Sequence, residues 1–321
     1  MTYLYLGAQL IVAILLSFLA YAYLLWLERR LFGSLRLVGG GAKGWLAPLR
    51  DAWRALLKPN RATNRVMSRR MGMASALALG ASLAMLLVIP WGRLDVGGRT
   101  IALLSAGPKT LLAALVLEGL LLLAMALYRA ALPTLEARRE SGRSLSRVVA
   151  VGLGVLLALG GPIMLAGSFD LEQMVAAQSL NLPYVVYQPL GAMLCLLAMA
   201  LGCGRMPLSL PGAEDRWLER YQLQHAGVSL ALFHWSETLH LFAWAALWAT
   251  VYFGGAEGVT LGGPIGLLLV SLLVLGVMIW LCSGPLDGLR ARWGRHLVSV
   301  LMGLGLLNIA LTTLMRYLGP S

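Results

Sequence analysis

The sequence contains few charged residues. Asp, Glu, Lys and Arg make up 12% of its 321 residues, whereas a soluble globular protein carries about 25%. Apolar residues make up 59% of the chain, and its mean hydropathy is +0.77. This scarcity of charge excludes a soluble domain and indicates an integral membrane protein, whose architecture depends on the number of membrane spans.

Cysteine is also scarce. Cys195, Cys203 and Cys282 lie in or beside apolar runs and have no CxxC spacing. The sequence therefore gives no support for a disulfide framework or a zinc site. The N-terminal apolar run is longer than the core of a signal peptide and lacks a basic segment before it, so we expect it to be a retained span.

Long apolar runs occur eight times. A helix needs about 20 residues to cross a hydrocarbon core of roughly 30 Å, and its backbone polar groups must be satisfied internally. We therefore predict an all-α polytopic membrane protein in which residues 1–321 form a single integral membrane domain. Its eight spans are predicted at about residues 3–27, 71–92, 109–132, 147–166, 183–203, 227–253, 261–282 and 297–318.

Basic residues are distributed unevenly among the loops. All but four of the 26 Lys and Arg residues fall in or beside the first, third, fifth and seventh loops. The positive-inside rule places these loops in the cytoplasm and both termini on the outer side of the cell inner membrane. The asymmetry accounts for most of the net charge of +12 without nucleic acid. The four exceptions are Arg93, Arg99, Lys109 and Arg316.

The first loop contains an amphipathic segment, WLAPLRDAWRALLK. On a helical wheel its apolar residues fall within one narrow arc and its charged residues lie opposite, which predicts an interfacial helix along the membrane surface. Two interpretations stay open, an anchor in the lipid headgroups and a docking surface for a soluble partner. The apolar arc contains Trp45, Leu49, Trp53 and Leu56, and the charged side contains Arg50, Asp51, Arg54 and Lys58.

The sixth predicted span carries a polar stripe in its HxxExxH segment. His234, Glu237, His240 and Trp244 share one face because residues three or four apart are neighbours on a helix. The histidines are six residues apart, unlike the HExxH pair of zinc proteases, so we expect neither a metal site nor haem ligation. Glu118 in the third span is expected to be either protonated or paired across helices, since ionisable groups within spans are costly.

Several motifs in the correct order resemble one family, that of the H subunit of respiratory complex I, also called NADH dehydrogenase subunit 1. The same superfamily includes the membrane subunit of energy-converting, formate-hydrogenlyase-type [NiFe] hydrogenases. Pro207 to Gly227 resembles the family's PFDLPEAExEL…Y…EYSG without a gap, and the likeness continues to Glu237. The other matching segments are Glu28-Arg29-Arg30-Leu31 with Gly33, Ala166-Gly167-Ser168 with Asp170-Leu171, and Tyr187-Gln188-Pro189-Leu190-Gly191.

The chain departs from the family pattern at several charged positions. Of the acids in PEAExE only Glu214 remains, and Gln224 replaces the glutamate of EYSG. Gly152 stands where the fourth span of the family carries a buried glutamate. The remaining departures are Leu208-Ser209 for Phe-Asp, Gly212 and Arg216 for acids, His225 for Tyr, and the missing RxGPN segment of the first loop.

The resemblance implies a divergent membrane-anchor and coupling subunit of a complex I-like or hydrogenase-like assembly. Such a protein contains no redox centre of its own, and it forms the floor of a cytoplasmic cavity, where quinone is reduced in complex I. The expected partners are a soluble iron–sulfur or hydrogenase-like module on the cytoplasmic face, antiporter-like membrane subunits and lipid. The residues expected to link electron transfer to proton or sodium movement are Glu118, Glu214, Glu237, His225, His234 and His240. Those expected to line the docking surface or cavity are Glu28, Arg29, Arg30, Arg36, Asp51, Lys58, Arg143, Arg216 and Tyr221.

Three alternatives stay open at this stage: a structural anchor without an ion path, a quinone-site subunit of a true NADH:quinone oxidoreductase, and a stand-alone transporter. The altered loop around Leu208-Ser209 favours a ferredoxin- or hydrogenase-linked complex. Loss of the carboxylates at Gly152 and Gln224 favours the structural anchor, and the HxxExxH stripe favours coupling. No internal repeat or pair of broken helices supports the transporter.

Overall fold

The fold follows from apolar segments that are separated by glycine, proline and charged loops. A computed structural model describes residues 11–24, 26, 50, 53, 57, 65–96, 99–102, 109–131, 152–179, 181–202, 227–257, 263–283 and 297–318. Each predicted span contains a helix within these ranges, which confirms its helical character. The helices are α1 (Ile11–Leu24), α2 (Arg65–Val88), α3 (Thr110–Ala130), α4 (Gly152–Ala166), α5 (Leu171–Ser179), α6 (Tyr184–Tyr187), α7 (Pro189–Gly202), α8 (Val228–Phe253), α9 (Gly263–Ser283) and α10 (Leu297–Leu318), with a 3₁₀ turn at Gly255–Glu257.

Three of these helices are individually long and apolar enough to cross a membrane. They contain the candidate spans Val66–Val88, Thr110–Ala130 and Ser299–Tyr317. A fourth span results if α4 and α5, which meet at an angle of 59°, are counted together. Three shorter apolar segments, Ile11–Leu24, Pro189–Met199 and Gly263–Met278, also lie in the described ranges. The chain is thus a helical membrane protein, while the number of eight spans stays a prediction.

A short β-hairpin interrupts the helical pattern between α2 and α3. Strands β1 (Arg93–Val96) and β2 (Arg99–Ala102) pair antiparallel, with Asp95 opposite Thr100. The prediction of an all-α fold holds for the helices of the membrane core but does not include this hairpin. The hairpin therefore corrects that prediction. The sequence carried the signal, because Gly97-Gly98 between two segments of alternating polarity is typical of a two-residue hairpin turn.

Helix α8 lies at the centre of the core. From Ser236 to Tyr252 its side chains are buried on all sides. Helix α2 presents small residues to it, and Ser82 Oγ lies 3.2 Å from the carbonyl oxygen of Ser236. On the other side Trp248 Nε1 donates to the carbonyl oxygen of Ala192 at 2.9 Å, and the Tyr252 hydroxyl donates to that of Ala158 at 3.0 Å. These bonds fix α8 against α2, α4 and α7.

Two helix breaks lie beside this core. Gly167 has a φ of 65°, which turns the chain between α4 and α5, and Asp170 Oδ1 accepts a hydrogen bond from the backbone N–H of Glu172. That bond caps the first turn of the short helix α5. The second break lies at Gln188, because Pro189 disfavours helical geometry in the residue before it.

The amide of Gln188 joins three helices. Its Nε2 donates to Thr312 Oγ1 of α10 at 2.6 Å, and the same amide lies directly over Gly161 of α4, where a Cβ atom would overlap it. Asn308, one turn before Thr312, lies in the same way against Gly191 of α7. Small residues therefore allow α4, α7 and α10 to approach closely around two buried amides.

Candidate functional site

The polar stripe predicted on the sixth span lies on α8 and faces α3. His234, Glu237, His240 and Trp244 follow one another at intervals of three, three and four residues. Glu237 and His240 are buried. The structure divides the stripe into two clusters, each containing one carboxylate and one histidine.

The first cluster is centred on Glu237, whose side chain is 8% exposed. Its Oε2 lies 3.2 Å from Nδ1 of His234, one turn earlier on α8. Its Oε1 lies 3.8 Å from Nη2 of Arg129 at the end of α3. The carboxylate is therefore flanked by one fixed positive charge and by one imidazole that is charged only when protonated.

The second cluster joins α3 to α8 through Glu118 and His240. Nε2 of His240 lies 2.8 Å from Oε2 and 3.0 Å from Oε1 of Glu118. The His240 side chain is 3% exposed and that of Glu118 is 14% exposed. Of the two outcomes expected for Glu118, the structure favours pairing across helices.

Trp244 completes the second cluster. Its Nε1 lies 2.9 Å from Glu118 Oε2 and 2.7 Å from His240 Nε2. An indole N–H is a donor only, so both neighbouring atoms can act only as its acceptors. The three polar groups thus form a closed triangle in which the histidine and the tryptophan are buried and the carboxylate is partly buried.

Two residues near the first cluster were not predicted as site residues. Arg129 was counted with the basic flank of the third loop, and Tyr128 lay in an apolar run without a motif. The Tyr128 ring stacks on Phe233 with centroids 4.0 Å apart. Its hydroxyl is buried and forms no hydrogen bond within the described part of the chain. The spacing of 11 residues from Glu118 to Arg129 could have indicated that both lie on one face of α3.

The two clusters are close enough to act together. An α-helix rises 1.5 Å per residue, so Glu237 and His240 are separated by about 4.5 Å along the axis of α8. Neutral imidazole can accept a proton and carboxylate can accept one, and both groups return it when neighbouring charges change. The arrangement can therefore hold protons at two adjacent depths in the membrane.

Metal binding receives no support from the described residues. Among them, no group of three His, Cys, Asp or Glu side chains is arranged to hold a metal ion. His234 and His240 contact different carboxylates, as expected for a spacing of six. That the chain binds no metal stays a prediction.

The other predicted site residues lie outside the described residues, and their roles stay predictions. In the first-loop segment only Arg50, Trp53 and Leu57 are described; Leu57 N donates to the Trp53 carbonyl oxygen at 3.2 Å, and Trp53 is 61% exposed. Gly152 is described, and a Cβ atom there would meet nothing within 4 Å. The residues outside are Glu28, Arg29, Arg30, Arg36, Asp51, Lys58, Arg143, Glu214, Arg216, Tyr221 and His225.

Comparison with known proteins gives one consistent result. The family model described as NADH dehydrogenase matches residues 8–316. The NADH-quinone oxidoreductase H subunit 2 of Geobacter sulfurreducens is 29% identical over 313 residues, which cover 95% of this chain and 94% of that protein. The H subunit 1 of Geobacter metallireducens is 30% identical over 298 residues, covering 91% and 90%. The H subunit 1 of Rhodopseudomonas palustris strain BisB5 is 31% identical over 263 residues, covering 80% and 79%.

Proposed function

The chain belongs to the NADH dehydrogenase family of membrane subunits, that of the H subunit of complex I, and on this premise we propose that it couples electron transfer in a partner module to ion movement through the α3–α8 clusters. The coarse role follows from the family and from the apolar helices. The chain is a membrane subunit of the type found in NADH-quinone oxidoreductases, the complexes for which its relatives are named. The coupling, the ion and the electron partners are the parts that we add.

The observation that carries the proposal is the pairing of each carboxylate of the α3–α8 clusters with its own histidine. Glu237 contacts His234, and Glu118 contacts His240. A charge within a membrane is costly and is retained where it serves transport or a relay. Two adjacent acid–imidazole pairs allow a proton to change place without leaving an unpaired charge in the interior.

The histidines of the two clusters differ in their exposure. His234 is 26% exposed, whereas His240 is 3% exposed. The predicted topology places the His234 end of α8 beside the basic fifth loop and hence near the cytoplasm. In our proposal an ion or proton enters at His234 and Glu237 and moves inward to Glu118 and His240. Charge changes in the cytoplasmic cavity then alter the occupancy of these groups.

We assign the electron chemistry to partner subunits. In this proposal the basic first loop and the loop that contains Glu214 form the docking face for an iron–sulfur module. The chain itself forms one membrane domain of eight spans and transmits the effect of electron transfer to antiporter-like subunits. Quinone at the cytoplasmic cavity is consistent with the names of the relatives. The altered Leu208-Ser209 segment supports a ferredoxin- or hydrogenase-linked donor instead. Purification in mild detergent, followed by identification of bound subunits, iron and quinone, distinguishes these donors.

Glu237→Gln tests the coupling. The amide keeps the shape and much of the hydrogen bonding of the carboxyl group but cannot titrate. We expect an assembled complex that retains electron transfer in part and loses proton uptake, or sodium uptake in a parallel assay, in reconstituted vesicles. Glu214→Gln, at the loop end of the path, is expected to give a milder loss.

Glu257→Gln is the matched control, because Glu257 is an exposed carboxylate of the 3₁₀ turn, distant in sequence from both clusters. It should leave both activities unchanged. Ion uptake at the native rate by Glu237→Gln would contradict the proposal and favour a purely structural anchor.

A further inference from the structure

We propose that Trp244 is a positioning residue, whose indole N–H holds the proton shared by Glu118 and His240 on the histidine. The inference deepens the proposed function, because it identifies what sets the resting state of the inner cluster. The proton placement itself can be measured whether or not the cluster moves ions.

The geometry limits the choices for the indole N–H. Trp244 is 3% exposed, so its Nε1 has no access to bulk water. The two acceptors within reach are Glu118 Oε2 at 2.9 Å and His240 Nε2 at 2.7 Å. A buried N–H without a partner costs about 1–3 kcal/mol, so one of these atoms accepts it.

The position of one proton decides between the two acceptors. When His240 carries a hydrogen on Nε2, that atom cannot accept, and both N–H groups donate to the Glu118 carboxylate. When Nε2 is bare, Glu118 must carry the proton and donate it to His240, since two acceptors 2.8 Å apart would otherwise repel. Moving the proton between these states breaks one N–H or O–H bond and forms the other, with no other change in composition.

Hydrogen bonds to an ionised acceptor are about twice as strong as those to a neutral one. The indole N–H therefore stabilises the state in which Glu118 is a carboxylate that accepts from both Trp244 and His240.

Among the residues that the structure describes, the other charged groups near this pair lie on the same two helices. From α8 these are His234 and Glu237, and from α3 the guanidinium of Arg129, all in the neighbouring cluster. Helix α2 contributes Ala78 and Ser82 on this side of the core, and neither carries a charge. The indole N–H is thus the nearest feature that distinguishes the two proton placements.

Trp244→Phe tests the inference by removing the N–H while keeping an aromatic ring. Infrared spectroscopy of the purified complex measures the absorption of neutral carboxyl groups, and loss of the band in Glu118→Gln identifies the contribution of Glu118. In Trp244→Phe we expect the neutral Glu118 band to gain intensity at a fixed pH, because the carboxylate loses one of its two N–H donors.

Trp248→Phe is the control. It removes an equally buried indole N–H one turn further along α8, but that group donates to the Ala192 carbonyl oxygen. It should leave the Glu118 band unchanged. If Trp244→Phe does not fold, 3-benzothienylalanine at position 244 keeps the shape of indole with sulfur in place of the N–H.

The inference is overturned if the intensity of the neutral Glu118 band is unchanged in the variant at position 244, falls there, or rises equally in Trp248→Phe. The outcome is independent of the coupling assay. A stronger band in Trp244→Phe together with normal ion uptake by Glu237→Gln would retain the role of Trp244 and reject the proposed function.

Discussion

Glu118 on α3 and His240 on α8 form a pair across 122 residues of sequence, with Oε2 of the acid 2.8 Å from Nε2 of the imidazole. The same two helices also meet where Tyr128 stacks on Phe233 and where Arg129 lies beside Glu237. The Glu118–His240 contact stabilises the arrangement of α3 and α8 only while the pair retains one proton between its members, which makes helix packing sensitive to protonation. In the neighbouring cluster the contact between the two helices is made by Arg129, whose charge is permanent, and His234 lies on the same helix as Glu237.

Arg129 and Glu237 should show coupled effects on stability. Removal of the guanidinium by Arg129→Ala leaves a buried carboxylate without its fixed positive neighbour, and Glu237→Gln removes the charge that needs it. We expect the loss in free energy of unfolding caused by Arg129→Ala to be smaller by at least about 1 kcal/mol in a Glu237→Gln background than in the native chain. Denaturant unfolding in detergent measures both costs. Equal costs in the two backgrounds would show that the 3.8 Å contact contributes nothing.

Tyr128→Phe is expected to preserve or slightly raise stability. The Tyr128 hydroxyl is buried without a hydrogen bond to any residue that the structure describes, so its desolvation is uncompensated. Phenylalanine keeps the stacking on Phe233. We expect a gain between about 0 and 1 kcal/mol in thermal unfolding, with ion uptake unchanged. A clear loss of ion uptake at native stability would instead place the hydroxyl in the relay.

Gly161→Ala is expected to disrupt the junction of α4, α7 and α10. A methyl group there overlaps the amide of Gln188, which donates to Thr312. Overpacking of this kind costs about 1–3 kcal/mol, and displacement of the amide would also break its hydrogen bond. Gly303→Ala on α10 is the control, because its Cβ would meet nothing within 4 Å. A melting temperature lowered equally by both changes would contradict this explanation.

The sequence predicted the parts of the fold that depend on local pattern. The apolar run predicted at 109–132 became Thr110–Ala130 because its length and composition suffice to define a helix. The stripe from His234 to His240 was predictable from its spacing alone. The pairing of Glu118 was left open, because a contact over 122 residues depends on how helices pack and leaves no periodic signal.

Two further differences between the prediction and the structure depend on single residues, whose effects the pattern of apolar residues does not reveal. The fifth predicted span, 183–203, is divided at Gln188, since Pro189 ends one helix and begins another. Arg129 was assigned to a solvated flank from its position in the chain. Its guanidinium instead extends to Glu237, because a long basic side chain at a helix end can reach a neighbouring helix.

Cysteine labelling tests the topology on which the direction of ion movement depends. Leu182 is 55% exposed between α5 and α6, and the predicted orientation places it on the outer side. Ser141 falls in the basic third loop, which is predicted to be cytoplasmic. In a background without the three native cysteines, we expect an impermeant maleimide added to intact cells to label Leu182→Cys and not Ser141→Cys.

Inverted membrane vesicles should give the reverse pattern, which controls for reactivity as opposed to access. The predicted topology has one membrane crossing between residues 141 and 182, where α4 and α5 lie at an angle to each other. Labelling of both positions from the same side would mean that the chain between them crosses the membrane an even number of times or not at all. That result would make α4 and α5 a re-entrant segment. Labelling of Ser141→Cys alone in intact cells would invert the chain. His234 and Arg129 would then face the outer side, and an ion entering at Glu237 would have to come from outside the cell.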